Sequence, residues 1–186
     1  MIIGICGKSG SGKSRLSRNI LNLSKNEVVH LDIDKVGHNA LTYEEAIIDL
    51  VNTFGTEILD GDKINRKILS NIVFDNEKEM SKLTEITWKY MQKEINEFIN
   101  NNKDKIIILD WLLLPKTDYF DMCDIKILLD IPYEIRKARA IKRDNISSET
   151  FDLREKASIN FEKEKFDYVI ENGEIETVKR LVKLYE

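Results

Sequence analysis

Eight consecutive residues near the start of the chain, Gly7-Lys8-Ser9-Gly10-Ser11-Gly12-Lys13-Ser14, have the types and spacing needed to hold a polyphosphate. The run fits G-x-x-x-x-G-K-[ST] in full. Glycines let backbone N–H groups close around phosphate oxygens without Cβ clashes. A helix opening at Lys13 adds the positive end of its dipole. Lys13 supplies a mobile cation for β- and γ-phosphates, and the Ser14 hydroxyl completes a Mg²⁺ shell. The expected nucleotide-binding segment is therefore Gly7 to Ser14, with Arg15 beside it. An apolar strand before the loop and Leu16, Ile20 and Leu23 after it supply the context such a loop requires.

Carboxylates come next. His30-Leu31-Asp32-Ile33-Asp34 ends a second apolar run, which is expected to bring Asp32 or Asp34 beside the loop. A carboxylate there can accept a proton from an attacking hydroxyl or hold a Mg²⁺-bound water. Carboxylates at strand ends also cap helices. Asp32 ends the strand and is the preferred base; Asp34 is the candidate for a metal-bound water, a substrate contact or a cap. Asp110, closing Ile106-Ile107-Ile108-Leu109, is the second acidic candidate, near the metal or in contact with the substrate.

Phosphoryl transfer also needs cations over the γ-phosphate. Arg136, Arg139 and Arg143 recur at helical spacing and read as one face, either catalytic or simply solvated. Arg139 and Arg143 are preferred, because Arg143 opens a polar segment of the kind that forms a mobile lid; Arg136 is expected to matter less. His30 and His38 read as structural or surface residues and Trp111 as a core aromatic. Cys6 and Cys123 form no CxxC or Cys/His cluster and read as reduced structural thiols.

The elements that must position these groups follow from apolar patterning. Short runs at 2–6, 28–31, 106–109, 125–130 and 168–170 alternate with helical spacing, the signature of a parallel sheet covered on both faces. Helices are marked by Ile47 to Phe54 closed by Gly55, by Ile68 to Val73, by Met80 to Phe98, and by Ile175 to Tyr185. The fold class is α/β, with about five parallel strands. The connection from 34 to 104 is too long for one crossover helix and reads as a helical insertion standing over the sheet's C-terminal edge. The expected organisation is one domain: a core at 1–34, 104–142 and 166–186, an insertion at 35–103 and a lid at 143–165.

Bulk properties bound the partners. The chain has 186 residues and a net charge of −4, with Lys and Arg spread along its length, so bulk electrostatics hold no nucleic acid. The longest apolar runs are far below the ~20 residues of a membrane-spanning helix. The opening Met-Ile-Ile-Gly-Ile-Cys has no basic leader or cleavage site, which points to the cytoplasm and no membrane partner.

With these residues in view, the sequence resembles the dephospho-coenzyme A kinases nearly end to end. The resemblance includes the phosphate loop, Asp32 and Asp34, then Phe54-Gly55, Ile58-Leu59-Asp60-Gly61, Arg66-Lys67-Ile68-Leu69 and Ile72-Val73-Phe74. It continues through Leu109-Asp110, Leu113-Leu114, Asp130, Pro132, Arg139, Lys142-Arg143-Asp144 and 167–172. It implies a P-loop kinase fold, MgATP as donor and the ribose 3′-hydroxyl of dephospho-coenzyme A as acceptor. By position it implies Asp32 as general base, Arg66 as a ligand for the substrate's phosphates, and Arg139 and Arg143 at the transferred phosphoryl group. It also sets Asn172 in an adenine-side loop, and a monomer or weak homo-oligomer is expected.

This chain departs from the family pattern at Thr87-Trp88-Lys89, where His-Pro is usual. It departs again at Lys116 in place of an acid, at Asn65 in place of the acid before Arg66, and in lacking a lid glutamine. Two other readings therefore stay open. One is a P-loop kinase for a nucleoside, nucleotide or other small molecule, which needs a planar pocket in its insertion. The other is a nucleotide-binding protein without turnover.

Overall fold

The computed structural model describes residues 1–24, 27–74 and 76–171. β1 (Ile2–Cys6) leads through α1 (Lys13–Leu23) to β2 (Val28–Asp32). Then come α2 (Ile33–Ala40), α3 (Glu44–Phe54), β3 (Leu59–Asp60), β4 (Lys63–Ile64), α4 (Arg66–Val73) and the long α5 (Glu77–Asn101). β5 (Ile106–Asp110), β6 (Ile125–Leu129), α6 (Tyr133–Asp144), α7 (Ser148–Lys156) and β7 (Tyr168–Ile170) complete the described chain. Asn172 and the helix expected from Ile175 to Tyr185 lie outside the described residues.

Five strands form one sheet in the order β2-β5-β1-β6-β7, every pair parallel. The five apolar runs of the sequence are these strands, with β2 and β5 each extended by one residue to include its terminal Asp and β6 ending one residue early, at Leu129. Burial explains the runs. Ile3, Ile5, Ile108, Ile125, Ile127 and Leu129 pack with Leu16 and Ile20 of α1 in one core. On the opposite face of β1, a Cβ at Gly4 would meet Cys123 Sγ at 2.8 Å and Leu114 Cδ2 at 3.0 Å.

Two compact units emerge among the described residues, one spanning Ile33–Asn101 and the other Met1–Asp32 with the described chain that follows from Asn102. In the helical unit, Leu50, Phe54, Ile58, Leu69 and Val73 form a second core, covered by Leu83 and Ile86 of α5. Two elements of this unit were absent from the sequence reading. β3 and β4 pair as a short antiparallel hairpin. α2 begins directly after β2, so Ile33 and Asp34 are its first turn rather than a continuing strand end. Its signal was present: Ile33, Val36 and Ala40, all buried, recur at a helical period.

Residues expected to form a lid belong to the sheet unit. α7 is capped by the Ser147 hydroxyl, which accepts from Thr150 N at 3.2 Å. It buries Phe151 completely, with the Tyr133 ring of α6 5.6 Å away. Lys137 of α6 bonds Asp152 of α7 at 2.8 Å, and Tyr133 donates its hydroxyl proton to the same carboxylate.

Candidate active site

The loop between β1 and α1 is built for close backbone approach. Gly10 has φ +77°, and a Cβ there would lie 2.2 Å from the Arg136 carbonyl oxygen. Only glycine fits. Gly12, at φ +98°, is the N-cap of α1 and places no side chain over the start of the helix, the end whose dipole favours an anion. Ser11 Oγ is buried and makes no hydrogen bond among the described residues. Lys13 folds back across the loop: its Nζ donates to Gly7 O at 3.1 Å and lies 4.0 Å from Asp110 Oδ1. Lys8 and Ser9 are half-buried, and Ser14 and Arg15 are exposed on the first turn of α1.

Strand register assembles the acidic groups. Asp32 and Asp110 are direct partners across β2 and β5, and Asp110 also pairs with Ile5 of β1. From sequence, the end of β2 is expected to bring Asp32 or Asp34 beside the loop. Instead, β5 intervenes, so Asp110 is the nearer carboxylate and Asp32 stands two strand spacings, roughly 10 Å, from β1. Asp110 is 3% exposed, and burying a carboxylate is costly without a cation, which Lys13 provides.

His30 is the residue whose part the sequence reading missed. Its Nε2 lies 3.4 Å from Asp110 Oδ2, and neither atom makes a hydrogen bond among the described residues. The signal was strand alternation: His30 and Asp32, two apart, share a face of β2.

Such a donor set suits a hard cation. Among the described residues no three His, Cys, Asp or Glu side chains form a metal cage. A hydroxyl at Ser14, the orphaned Asp110 Oδ2 and a neighbouring Asp32 match Mg²⁺, which takes one or two carboxylates and completes its shell with phosphate and water.

The three arginines do not share one environment, contrary to the single face read from their spacing. Arg136 is buried inward with Ala140, donating Nε to Ile131 O at 2.8 Å and Nη1 and Nη2 to Glu155 at 2.8 and 3.0 Å. Arg139 is exposed, its Nη1 3.9 Å from where a Cβ on Gly12 would stand, so α6 does bring this cation to the loop. Arg143 is also exposed and engages Asp144 through Nε at 2.6 Å and Nη2 at 2.9 Å. That pairing, with Arg154 adding a further bond, holds the Asp144 carboxyl down to about 2. Asp34 and Arg66 lie in the helical unit, both exposed. Arg66 donates Nη2 to His38 O at 3.1 Å.

Both cysteines are free and buried, as expected of structural thiols. Burial pushes the Cys6 thiol up, and the Cys123 thiol up to about 12. Trp111 is buried too. No helix among the described residues is long and apolar enough to cross a membrane.

Comparison with known proteins gives this geometry its context. The CoaE family model, described as dephospho-CoA kinase, matches residues 1–177. The chain belongs to the dephospho-CoA kinase family. The dephospho-CoA kinase of Aquifex aeolicus (strain VF5) is 40% identical over 195 residues, covering 99% of this chain and 95% of its own. Among solved structures, TT1252 from Thermus thermophilus has a TM-score of 0.81 at 24% identity, covering 99% of this chain and 95% of that one. A dephospho-CoA kinase from Campylobacter jejuni has a TM-score of 0.61 at 23% identity, covering 98% and 94%. At those identities the two structures speak for the fold alone, a P-loop kinase fold.

Two of this family member's departures have local structural reasons. Asn65 is the N-cap of α4, its Oδ1 accepting from Lys67 N and Ile68 N at 3.1 and 3.2 Å, a task Asn performs as well as Asp. Lys89 bonds Asp49 of α3 at 3.1 Å, and Tyr90 donates to the same carboxylate at 2.8 Å. These bonds, Tyr90 first, hold the Asp49 carboxyl below its ordinary range. Lys116 is exposed in a short 3-10 turn, Leu114–Lys116, and nothing in the structure explains it.

Proposed function

We propose that this chain transfers the γ-phosphoryl group of ATP to the ribose 3′-hydroxyl of dephospho-coenzyme A, giving coenzyme A and ADP. The observation that carries the acceptor is the end-to-end likeness to a curated dephospho-CoA kinase, 40% identical over 99% of this chain.

The loop backbone and the N-terminus of α1 hold the triphosphate, and Lys13 stays with its β,γ-bridge. Ser14, with Asp110 or Asp32, would hold Mg²⁺, which when bound spreads the phosphate charge. Asp32 accepts the proton of the attacking hydroxyl. As the new O–P bond forms, the bond to the β,γ-bridging oxygen breaks and ADP departs with that electron pair. Arg139 and Arg143 balance charge on the transferred group, Asn172 serves the adenine, and Asp34 and Arg66 serve the acceptor.

Mass spectrometry of dephospho-coenzyme A incubated with MgATP and the protein should show the gain of one phosphoryl group. If the acceptor stays unmodified while a nucleoside or another alcohol is phosphorylated, the acceptor assignment fails. Tight nucleotide binding with no turnover on any acceptor would make this a binding protein.

Arg143→Ala tests the cation next to the lid segment. It should lower kcat by about 10²-fold while changing KM for ATP little, because the contact strengthens only as charge develops. To make that contact Arg143 must leave Asp144, so Asp144→Asn should not reproduce the loss. A change confined to KM would mark Arg143 as a ground-state binder. Arg136→Ala, expected from sequence to be a mild control, is no control: it leaves Glu155 without its bidentate partner.

A further inference from the structure

The phosphate loop is gripped from outside by a charge cluster that the catalytic reading does not use. Glu155 of α7 accepts from Lys8 Nζ at 2.9 Å and from both terminal nitrogens of Arg136 at 2.8 and 3.0 Å. Arg136 Nη1 also reaches Ser9 O at 3.4 Å, and the Arg136 backbone packs against Gly10 so closely that no Cβ fits between them. Three consecutive loop residues, Lys8, Ser9 and Gly10, therefore rest on one arginine and one glutamate.

Energetics make the cluster consequential. Arg136 is 5% exposed, and a buried guanidinium is tolerated only when paired and hydrogen-bonded. Its bidentate partner lies on α7, within the segment of lid character. Hydrogen bonds from Arg136, then from Lys8, hold the Glu155 carboxyl below its ordinary range, consistent with a carboxylate committed to both cations. Any displacement of α7 strips Arg136 of its counter-charge and releases Lys8. The reverse also holds: a loop locked in one shape keeps Lys8 and Ser9 where Glu155 and Arg136 meet them.

We propose that Glu155 is a positioning residue that couples the docking of α7 to the shape of the phosphate loop, acting through Lys8 and Arg136. The inference rests on the reading that this loop binds nucleotide phosphates. Coupling free energies are reciprocal. If docked α7 favours the binding-competent loop, nucleotide in the loop must in turn hold α7 down. A purely structural ion pair would stabilise the fold without linking the two.

Amide hydrogen exchange of α7, with and without MgADP, reads this link directly, and calorimetry of MgADP binding accompanies it. In the native protein, saturating MgADP should slow exchange at residues 151–156 by about tenfold, the effect of a coupling at the low end of the usual range. Glu155→Gln, which keeps shape and removes charge, should abolish that protection and raise the MgADP dissociation constant by a similar factor. Lys8→Met removes the direct Lys8–Glu155 contact and leaves Arg136 on Glu155, Ser9 and Gly10, so it should clearly weaken the protection even if Glu155→Gln fails to fold. MgADP that binds while α7 exchange is unchanged overturns the coupling alone, as does undiminished, native-level protection in Lys8→Met. Failure of MgADP to bind the native protein overturns the coupling together with the functional reading beneath it.

Discussion

Lys13→Ala should reduce kcat by at least about 10²–10³-fold, the usual cost of removing one preorganised charge from a transition state. Lys13 is anchored twice before any phosphate arrives, by its bond to Gly7 O and by Asp110 4.0 Å away. It therefore pays little ordering entropy at the moment of transfer. Arg139 lies by Gly12 and is assigned to the transferred group, and Lys8 and Arg136 are committed to Glu155, so no neighbour replaces it at the β,γ-bridge. The variant should stay folded, because His30 Nε2 remains 3.4 Å from the Asp110 carboxylate. Steady-state kinetics beside a circular-dichroism melt check this. A folded variant with near-native turnover would remove Lys13 from the reaction.

Asp32→Asn should cut kcat by about 10²–10⁴-fold and leave ATP affinity nearly intact, since it keeps shape and removes only the proton acceptor. A ribose hydroxyl is a poor nucleophile at neutral pH, so the base contributes directly to the barrier. The strand order sharpens the assignment. In the proposed reading Asp110, buried beside Lys13, serves the phosphates and the cation, and Asp32, one strand further out, serves the acceptor. Asp110→Asn should consequently weaken MgATP binding as well as turnover, which Asp32→Asn should not. If Asp34→Asn gives the loss predicted for Asp32→Asn, and Asp32→Asn does not, the roles are reversed. Normal turnover in both would mean that proton removal is not limiting or that the acceptor is no ribose hydroxyl.

Both expectations draw on residues that were legible before any fold was known, for a physical reason. A phosphate loop is a local object: its glycines, Lys13 and Ser14 are fixed by eight consecutive backbone positions, so spacing alone reveals it. Buried parallel strands are nearly as local, because two covered faces demand uninterrupted apolar runs, and all five runs became strands. α2 escaped because an apolar residue after a strand, Ile33, reads equally as more strand until its spacing to Val36 and Ala40 is weighed.

Strand order and helix rotation are non-local, and there the tertiary structure decided. Nothing between residues 28 and 110 says that β5 enters between β1 and β2, yet that insertion makes Asp110 the loop's carboxylate and sets His30 against it. Helical spacing placed Arg136, Arg139 and Arg143 on one face but could not say which of them the core would claim. Packing against Ile131 O, Ser9 O and a glutamate 19 residues away turned Arg136 inward and left Arg139 at the loop. Spacing along a chain specifies which groups can act together locally. Which distant charges must neutralise one another is set only when burial removes the water that would otherwise do it.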